Sequence, residues 1–282
     1  MPAIVPIDDP ADPRIAVYAK VRERDLVGRM GGFIAEGEVV LRVLLGPASR
    51  FRPASLLIAD KRLERLSPML AALPDAVPVY AASQAVMDAI VGFPIHRGVL
   101  AHGLRPPDPD AETLLAALRP RAVVLALFGI ANHDNIGGLF RNAAAFGAQV
   151  VLLDGACCDP LYRKAIRVSV GAALSVPFAR LAAGEDPLAV LERHGFSILA
   201  LSPKGAEPLA GLGRAARTAV LLGAEGPGLP DDLLARARTV AIPMAAGWDS
   251  LNVAATSAII LHALSQDGGA SGTPDHRVVD GV

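Results

Sequence analysis

IPMAAGWDSLNVAATSAIILHAL, residues 242–264, is the stretch whose reading decides the fold. It sets Asp249, Ser250 and Asn252 directly before a long apolar run. Pro243 and Gly247 interrupt the backbone ahead of that run, so the segment divides into a strand end, a polar loop and a helix starting near Leu251. Ser250 or Asp249 suits the N-cap of that helix. Asn252 is harder to place, because Asn competes for backbone hydrogen bonds and is a middling helix former. In the first turn of so apolar a helix it needs a specific partner, either a ligand or a neighbouring loop.

Two other blocks share this design: FGIANHDNIGGLFRNAAAFGA at 128–148 and AVLLGAEGPGLP at 219–230. Each reads as a buried strand whose exit carries Asn, Glu or Gly. Open α/β sheets place their ligand sites at such exits, so three of them imply one shared pocket.

The chain of 282 residues is long for one core and comfortable for two domains. Its hydrophobic fraction of 52%, against 20% charged residues, belongs to a globular protein with ample core. Net charge is −1 and the basic residues include only four lysines, so no global positive field points to nucleic acid. The only cysteines, Cys157 and Cys158, are adjacent, which suits neither a mutual disulfide nor a metal site. PIDDPADPR near the N-terminus lacks the basic start and apolar stretch of a signal peptide, and the longest apolar runs are too short to span a bilayer. The expectation is a cytoplasmic, soluble protein without membrane contact.

Along the chain, FIAEGEVVLRVLL places Val39, Val40, Val43 and Leu44 at helical spacing. SLLIAD, VPVYAA and HRGVLAHGL read as strands separated by the helices KRLERLSPMLAAL and SQAVMDAIVG, the second opened by Ser83 as N-cap. This is a small α/β sandwich. The three prolines and three acids of residues 105–114 mark a linker or the start of a connecting helix. The expected division is an N-terminal domain at 1–112, a second α/β domain at 113–265 and a disordered tail at 266–282. In the second domain AVVLALFGI, QVVLLDG, FSILALSP, TAVLLGAEG and VAIPM read as strands. NIGGLFRNAAAFGA reads as a loop and helix, and DDLLARART as a helix opened by acids.

In the first motif, Asn135, Gly137, Gly138 and Arg141 stand as N-x-G-G-x-x-R. The glycine pair permits close approach to a ligand, with Arg141 on the first helical turn facing it; an ordinary tight turn with Arg in solvent is the other reading. In the second, Glu225 between glycines can meet a hydroxyl, an amine or an arginine, or simply point to water. Arg163, Lys164 and Arg167 form a local basic cluster, either a phosphate contact or a solvated helix face. His133 is either a proton carrier, for which no paired carboxylate is identifiable, or an ordinary loop histidine, the reading favoured by that lack.

Taken in order, the three blocks resemble the three signature motifs of the SpoU/TrmH family, the S-adenosylmethionine-dependent RNA ribose 2′-O-methyltransferases of the SPOUT superfamily. NIGGLFRNAAAFGA is similar to the first, LLGAEGPGL to the second and IPMAAGWDSLNVAATSAIILHAL to the third, over about residues 120–264. FIAEGEVVLRVLL and HRGVLA resemble, more loosely, an L30e-like substrate-binding domain. The resemblance implies a C-terminal SPOUT-type α/β domain with a deep trefoil knot, an L30e-like α/β domain before it, and a homodimer packed through the knot. It implies S-adenosyl-L-methionine as cofactor, with Gly223, Ile242 and Leu251 lining its pocket and Met244 close by, and tRNA or rRNA as substrate. No metal is implied.

For catalysis, Arg141 matches the family's essential arginine, and Asn135, Glu225, Ser250 and Asn252 match its other polar positions. A guanidinium is a poor proton acceptor, so Arg141 suits a phosphate clamp and a stabiliser of the developing alkoxide better than a general base. Glu225 and Asn135 are expected to orient Arg141, and Ser250 and Asn252 to fix the loops and the nucleotide. Arg163, Lys164 and Arg167 are the expected RNA contacts. Ala224 stands where Asn is frequent, Asp249 where Glu is frequent and Ala254 where Ser often follows. The competing reading is a non-catalytic RNA-binding protein that retains the knotted fold.

Overall fold

The computed structural model describes residues 2–19, 23–92, 97–213, 215–246 and 250–266. His96, Asp249 and nearly all of the expected tail lie outside them. The first unit runs β1 (Ile4–Ile7), α1 (Glu23–Gly28), β2 (Gly32–Glu36), α2 (Glu38–Leu45), β3 (Arg52–Ala59), α3 (Leu63–Leu70), β4 (Val79–Ala82), α4 (Gln84–Val91) and β5 (Val99–Leu104). Its sheet has the order β1-β4-β3-β5-β2, with β1, β4 and β3 parallel and β5 antiparallel to β3 and β2. Ser83 caps α4 by accepting from Val86 N–H at 3.3 Å, as its sequence position predicts.

Two strands depart from the sequence reading. FIAE is β2, not helix; the helical spacing belongs to α2 alone, which Gly37 (φ 97°) separates from β2. IVPI at the N-terminus pairs with β4 as an edge strand, where its proline interrupts no central ladder.

The second unit follows through α5 (Ala111–Ala116), capped by Asp110, which accepts from Thr113 N–H at 2.6 Å. It continues with β6 (Ala122–Phe128), α6 (His133–Phe146), β7 (Val150–Leu153), α7 (Arg163–Val168), β8 (Phe178–Arg180), α8 (Pro187–Arg193), β9 (Ser197–Leu201) and β10 (Glu207–Pro208). It ends with β11 (Arg217–Gly223), α9 (Asp231–Arg236), β12 (Arg238–Ala241) and α10 (Val253–Gln266). The sheet is parallel throughout, in the order β10-β12-β9-β11-β6-β7-β8. Helices cover both faces, which is why AVVLALF reads as an unbroken apolar run: every residue of β6 is buried.

One hydrophobic cluster crosses from the first unit into the second, joining Phe33, Val40, Leu44 and Phe51 to Leu161, Ile166 and Phe178. Polar ties surround it. Arg50 N–H donates to Leu174 O at 3.0 Å, and the Arg50 guanidinium sits 5.4 Å from the Phe178 ring centre. Arg105, in the expected linker, pairs with Asp108 and reaches Asp159 of the second unit at 2.6 Å. Among the described residues no helix is long and apolar enough to cross a membrane.

Candidate active site

Parallel strands deliver their C-terminal ends to one edge, so the exits of β6, β9, β11 and β12 gather there. The β11 exit doubles back at once. Gly228 N–H donates to Ala224 O at 3.0 Å, with Gly226 and Gly228 at φ 88° and 73°. Gly223 lies beneath this turn: a Cβ there would land 2.2 Å from the Gly228 carbonyl carbon, so the position admits only glycine. The β6 exit is held by Asp154, which accepts from Gly129 N–H at 2.9 Å and from Cys157 N–H at 2.8 Å. The Cys157 thiol closes it by donating to Leu127 O at 3.3 Å, and burial pushes its pKa up to about 12.

Asn252 joins the three motif blocks. Its Oδ1 accepts from Ala254 N–H at 2.9 Å and Ala255 N–H at 3.4 Å, capping α10. Its Nδ2 donates to Asn135 Oδ1 at 2.9 Å and to Glu225 Oε1 at 2.8 Å. Only an amide supplies an acceptor to the helix and two donors to these oxygens at once. The cap is therefore Asn252, two residues beyond the expected Ser250. Ser250 is exposed and stands ahead of the helix.

The first motif differs from its sequence reading. NIGG is helix, not loop, because Asn132 Oδ1 accepts from Asp134 N–H at 2.7 Å and starts α6 at His133. Gly137 and Gly138 then serve helix packing rather than ligand approach. A Cβ on Gly137 would stand 2.7 Å from Val168 Cβ and 2.9 Å from Ala165 O, and one on Gly138 would stand 2.7 Å from Ala254 Cβ. Arg141 falls on the third turn of α6, not the first, and is exposed. Among the described residues it has no hydrogen-bond or ion-pair partner; Glu225 and Asn135, expected to orient it, bond Asn252 instead. His133 packs edge-on against Tyr162, ring centres 5.0 Å apart.

Of the expected cofactor residues, Gly223, Ile242 and Met244 are half-buried, and Leu251 is 45% exposed. A cavity of about 740 Å³ adjoins them at Pro243, its other walls including Arg121, Leu209, Leu212, Ala216 and Ala263. None of the four lines it. Among the described residues no group of three or more His, Cys, Asp or Glu side chains is placed to hold a metal ion.

The expected RNA contacts on α7 are engaged in ion pairs. Arg163 Nε donates to buried Glu36 at 2.9 Å, Arg167 approaches the same carboxylate oxygen at 3.6 Å, and Lys164 meets Asp134 at 2.6 Å. Arg163 is thus a clasp between the two units, whereas the Arg167 and Lys164 side chains stay 41% and 46% exposed. Sequence spacing gave no sign of Glu36, Asp154 or Asn142, whose amide bonds α10.

The three blocks meet at Asn252 on a parallel α/β sheet, and the sequence of the same stretch places the chain in the class of SpoU-type RNA methyltransferases. The chain belongs to the SpoU rRNA methylase family, whose sequence model matches residues 122–262. It is 40% identical over 270 residues to an uncharacterized tRNA/rRNA methyltransferase of Mycobacterium tuberculosis, covering 92% of this chain and 91% of that one. A 23S rRNA (guanosine-2′-O-)-methyltransferase of Acinetobacter baylyi is 29% identical over 210 residues, 72% of this chain and 83% of that protein. Among solved structures, an RNA 2′-O ribose methyltransferase superposes with a TM-score of 0.77 at 26% identity, over 93% of this chain and 99% of that one. An rRNA methyltransferase from Sinorhizobium meliloti, solved with AdoMet bound, shares the fold at a TM-score of 0.77 and 22% identity, over 93% and 98% of the two chains.

Proposed function

We propose that this protein transfers a methyl group from S-adenosyl-L-methionine to a ribose 2′-hydroxyl of tRNA or rRNA. The observation that carries the reading is the Asn252 amide, which binds Asn135 and Glu225 while capping α10 and so fixes the three motif blocks to one another.

The rim of the β11 and β12 exits fits such a cofactor. Gly223 leaves the space where a Cβ would stand to the folded-back loop, and Leu251 offers an apolar side chain still 45% exposed. Gly223, Ile242, Met244 and Leu251 would hold the cofactor. When bound, it supplies an electrophilic methyl carbon on a sulfonium. A guanidinium carries a positive charge and several donors, so that of Arg141 would clamp the phosphate beside the target ribose and stabilise the alkoxide as it develops. Glu225 and Asn252 would hold the loops that face the nucleotide, with Ser250 at their solvent edge.

The chain path supports a deep trefoil knot. β9 and β11 separate β12 from β6 in the sheet, yet α10 packs on α6, and Ala263 shares a cavity with Leu209, Leu212 and Ala216. Leu251 and Ile259, 45% and 38% exposed, support a homodimer packed through this region. For RNA, the first unit offers Arg97 beside Gly37, Arg62 beside Gly98, and Lys61 next to Arg62 in sequence; among the described residues they have no ion-pair partner. With Arg167 and Lys164 they supply the phosphate contacts in this reading.

The test is transfer of labelled methyl from S-adenosylmethionine into unmethylated cellular RNA, followed by nucleoside analysis. Alkali-resistant 2′-O-methyl nucleosides are expected. RNA binding without incorporation would establish the non-catalytic alternative, and label on a base would overturn the ribose assignment.

A further inference from the structure

Asn142 follows Arg141 on α6, inside the first block but outside its N-x-G-G-x-x-R positions. Its Nδ2 donates to Ala254 O at 2.7 Å and to Ser257 Oγ at 2.8 Å. Ser257 is fully buried and donates its own proton to Ala254 O at 2.7 Å, so its lone pairs are free to accept from Asn142. Asn135 and Asn142 are seven residues apart, two helical turns, and therefore share one face of α6. On that face Asn135 meets Asn252, Gly138 abuts Ala254, and Asn142 holds the second turn of α10. The crossing of the two helices is thus pinned by an amide on either side of a close glycine contact.

Arg141 flanks this face. With no hydrogen-bond or ion-pair partner among the described residues, its side chain takes its starting point and direction of departure from the setting of α6. We propose that Asn142 is a positioning residue for methyl transfer: it fixes the rotation of α6 against α10 and thereby sets Arg141 relative to the Asn252 and Glu225 loops. The proposal rests on the reading of Arg141 as part of the transfer site. Removal of the Asn142 amide strands no buried group, because Ala254 O and Ser257 remain bonded to each other. Its effect therefore falls on geometry more than on stability.

The experiment is steady-state methyl transfer by the full chain, with labelled S-adenosylmethionine and RNA, for wild type, Asn142→Ala, Asn142→Asp and Ser257→Ala. Both Asn142 variants are expected to lower kcat roughly 10- to 100-fold, the scale of a small misplacement at a reacting centre. KM for RNA should stay within about twofold, and Tm should fall by only about 2–4 °C. Ser257→Ala keeps the bond to Ala254 O and should retain most of kcat. The double variant Arg141→Ala/Asn142→Ala should be no slower than Arg141→Ala alone, since one residue acts through the other. An unchanged kcat in Asn142→Ala, or losses that multiply in the double variant, overturns the proposal. A wild-type protein that transfers no methyl to ribose overturns the underlying reading, and this proposal with it.

Discussion

The Asn252 amide donates to Asn135 Oδ1 at 2.9 Å across 117 residues of chain, and this bond holds the start of α10 against the start of α6. The same amide takes the Glu225 carboxylate at 2.8 Å. Capping and bridging are separable duties of one side chain, because the oxygen performs the first and the nitrogen the second.

Asn252→Ser should therefore split stability from activity. Serine keeps an N-cap oxygen, so unfolding free energy should change by less than about 1 kcal/mol, whereas both bridging donors disappear and methyl transfer should drop at least about tenfold. Chemical denaturation and a methyl-transfer assay on the same sample check this. Asn252→Asp should be worse on both counts, since its carboxylate faces Glu225 without a proton to offer.

Gly137→Ala should destabilise the fold by about 1–3 kcal/mol, the range for overpacking a tight interior. The added methyl would meet the Ala165 carbonyl at 2.9 Å, and a backbone oxygen of α7 cannot swing aside. Gly147→Ala meets no atom within 4 Å but requires a left-handed φ of 74°. Its cost should be limited to about 1–2 kcal/mol. Urea midpoints of the two variants measure the difference.

Glu36→Ala should lower stability by about 3–5 kcal/mol, because it leaves the half-buried Arg163 without the carboxylate that binds its Nε at 2.9 Å. Lys61→Gln, Arg62→Gln and Arg97→Gln together should leave the unfolding midpoint nearly unchanged and flatten the salt dependence of RNA binding. Each lost phosphate contact takes about 0.7–0.9 from the slope of log K against log salt. A fluorescence titration over a salt series reads that slope, and an unaltered slope removes these three residues from the RNA surface.

Cys157 and Cys158 should resist alkylation at pH 8 in the folded protein and react at once on denaturation. Burial disfavours the thiolate and pushes both thiols well above their ordinary range, up to about 12. The sign is fixed by the reactive form: folded-state alkylation should rise only as pH approaches 12, and any stability from keeping these thiols protonated is lost above pH 9. Thiol titration with and without denaturant checks it.

Sequence alone determined the buried strands of the second unit and its α/β class. Strands buried on both faces need no alternation, so AVVLALF and TAVLLG announced themselves, and helices opened by Ser83, Asp231 and Asp232 were legible from local cap and dipole chemistry. It also singled out the three blocks that the structure joins at Asn252, because Asn, Glu and paired glycines are costly at the exits of buried strands. The short edge strand IVPI escaped notice because four residues with a proline carry little pattern, and FIAE was absorbed into the helix that follows it.

Only the tertiary structure decided what those polar residues do. Asn252 finds Asn135 and Glu225, Gly137 finds α7, and Arg163 finds Glu36 across 127 residues. Periodicity and capping rules reach a few residues along the chain, whereas these partners meet only after the sheet has brought its strand ends together. For that reason the sequence could place the asparagine at the mouth of a helix but not supply the two oxygens that hold it there.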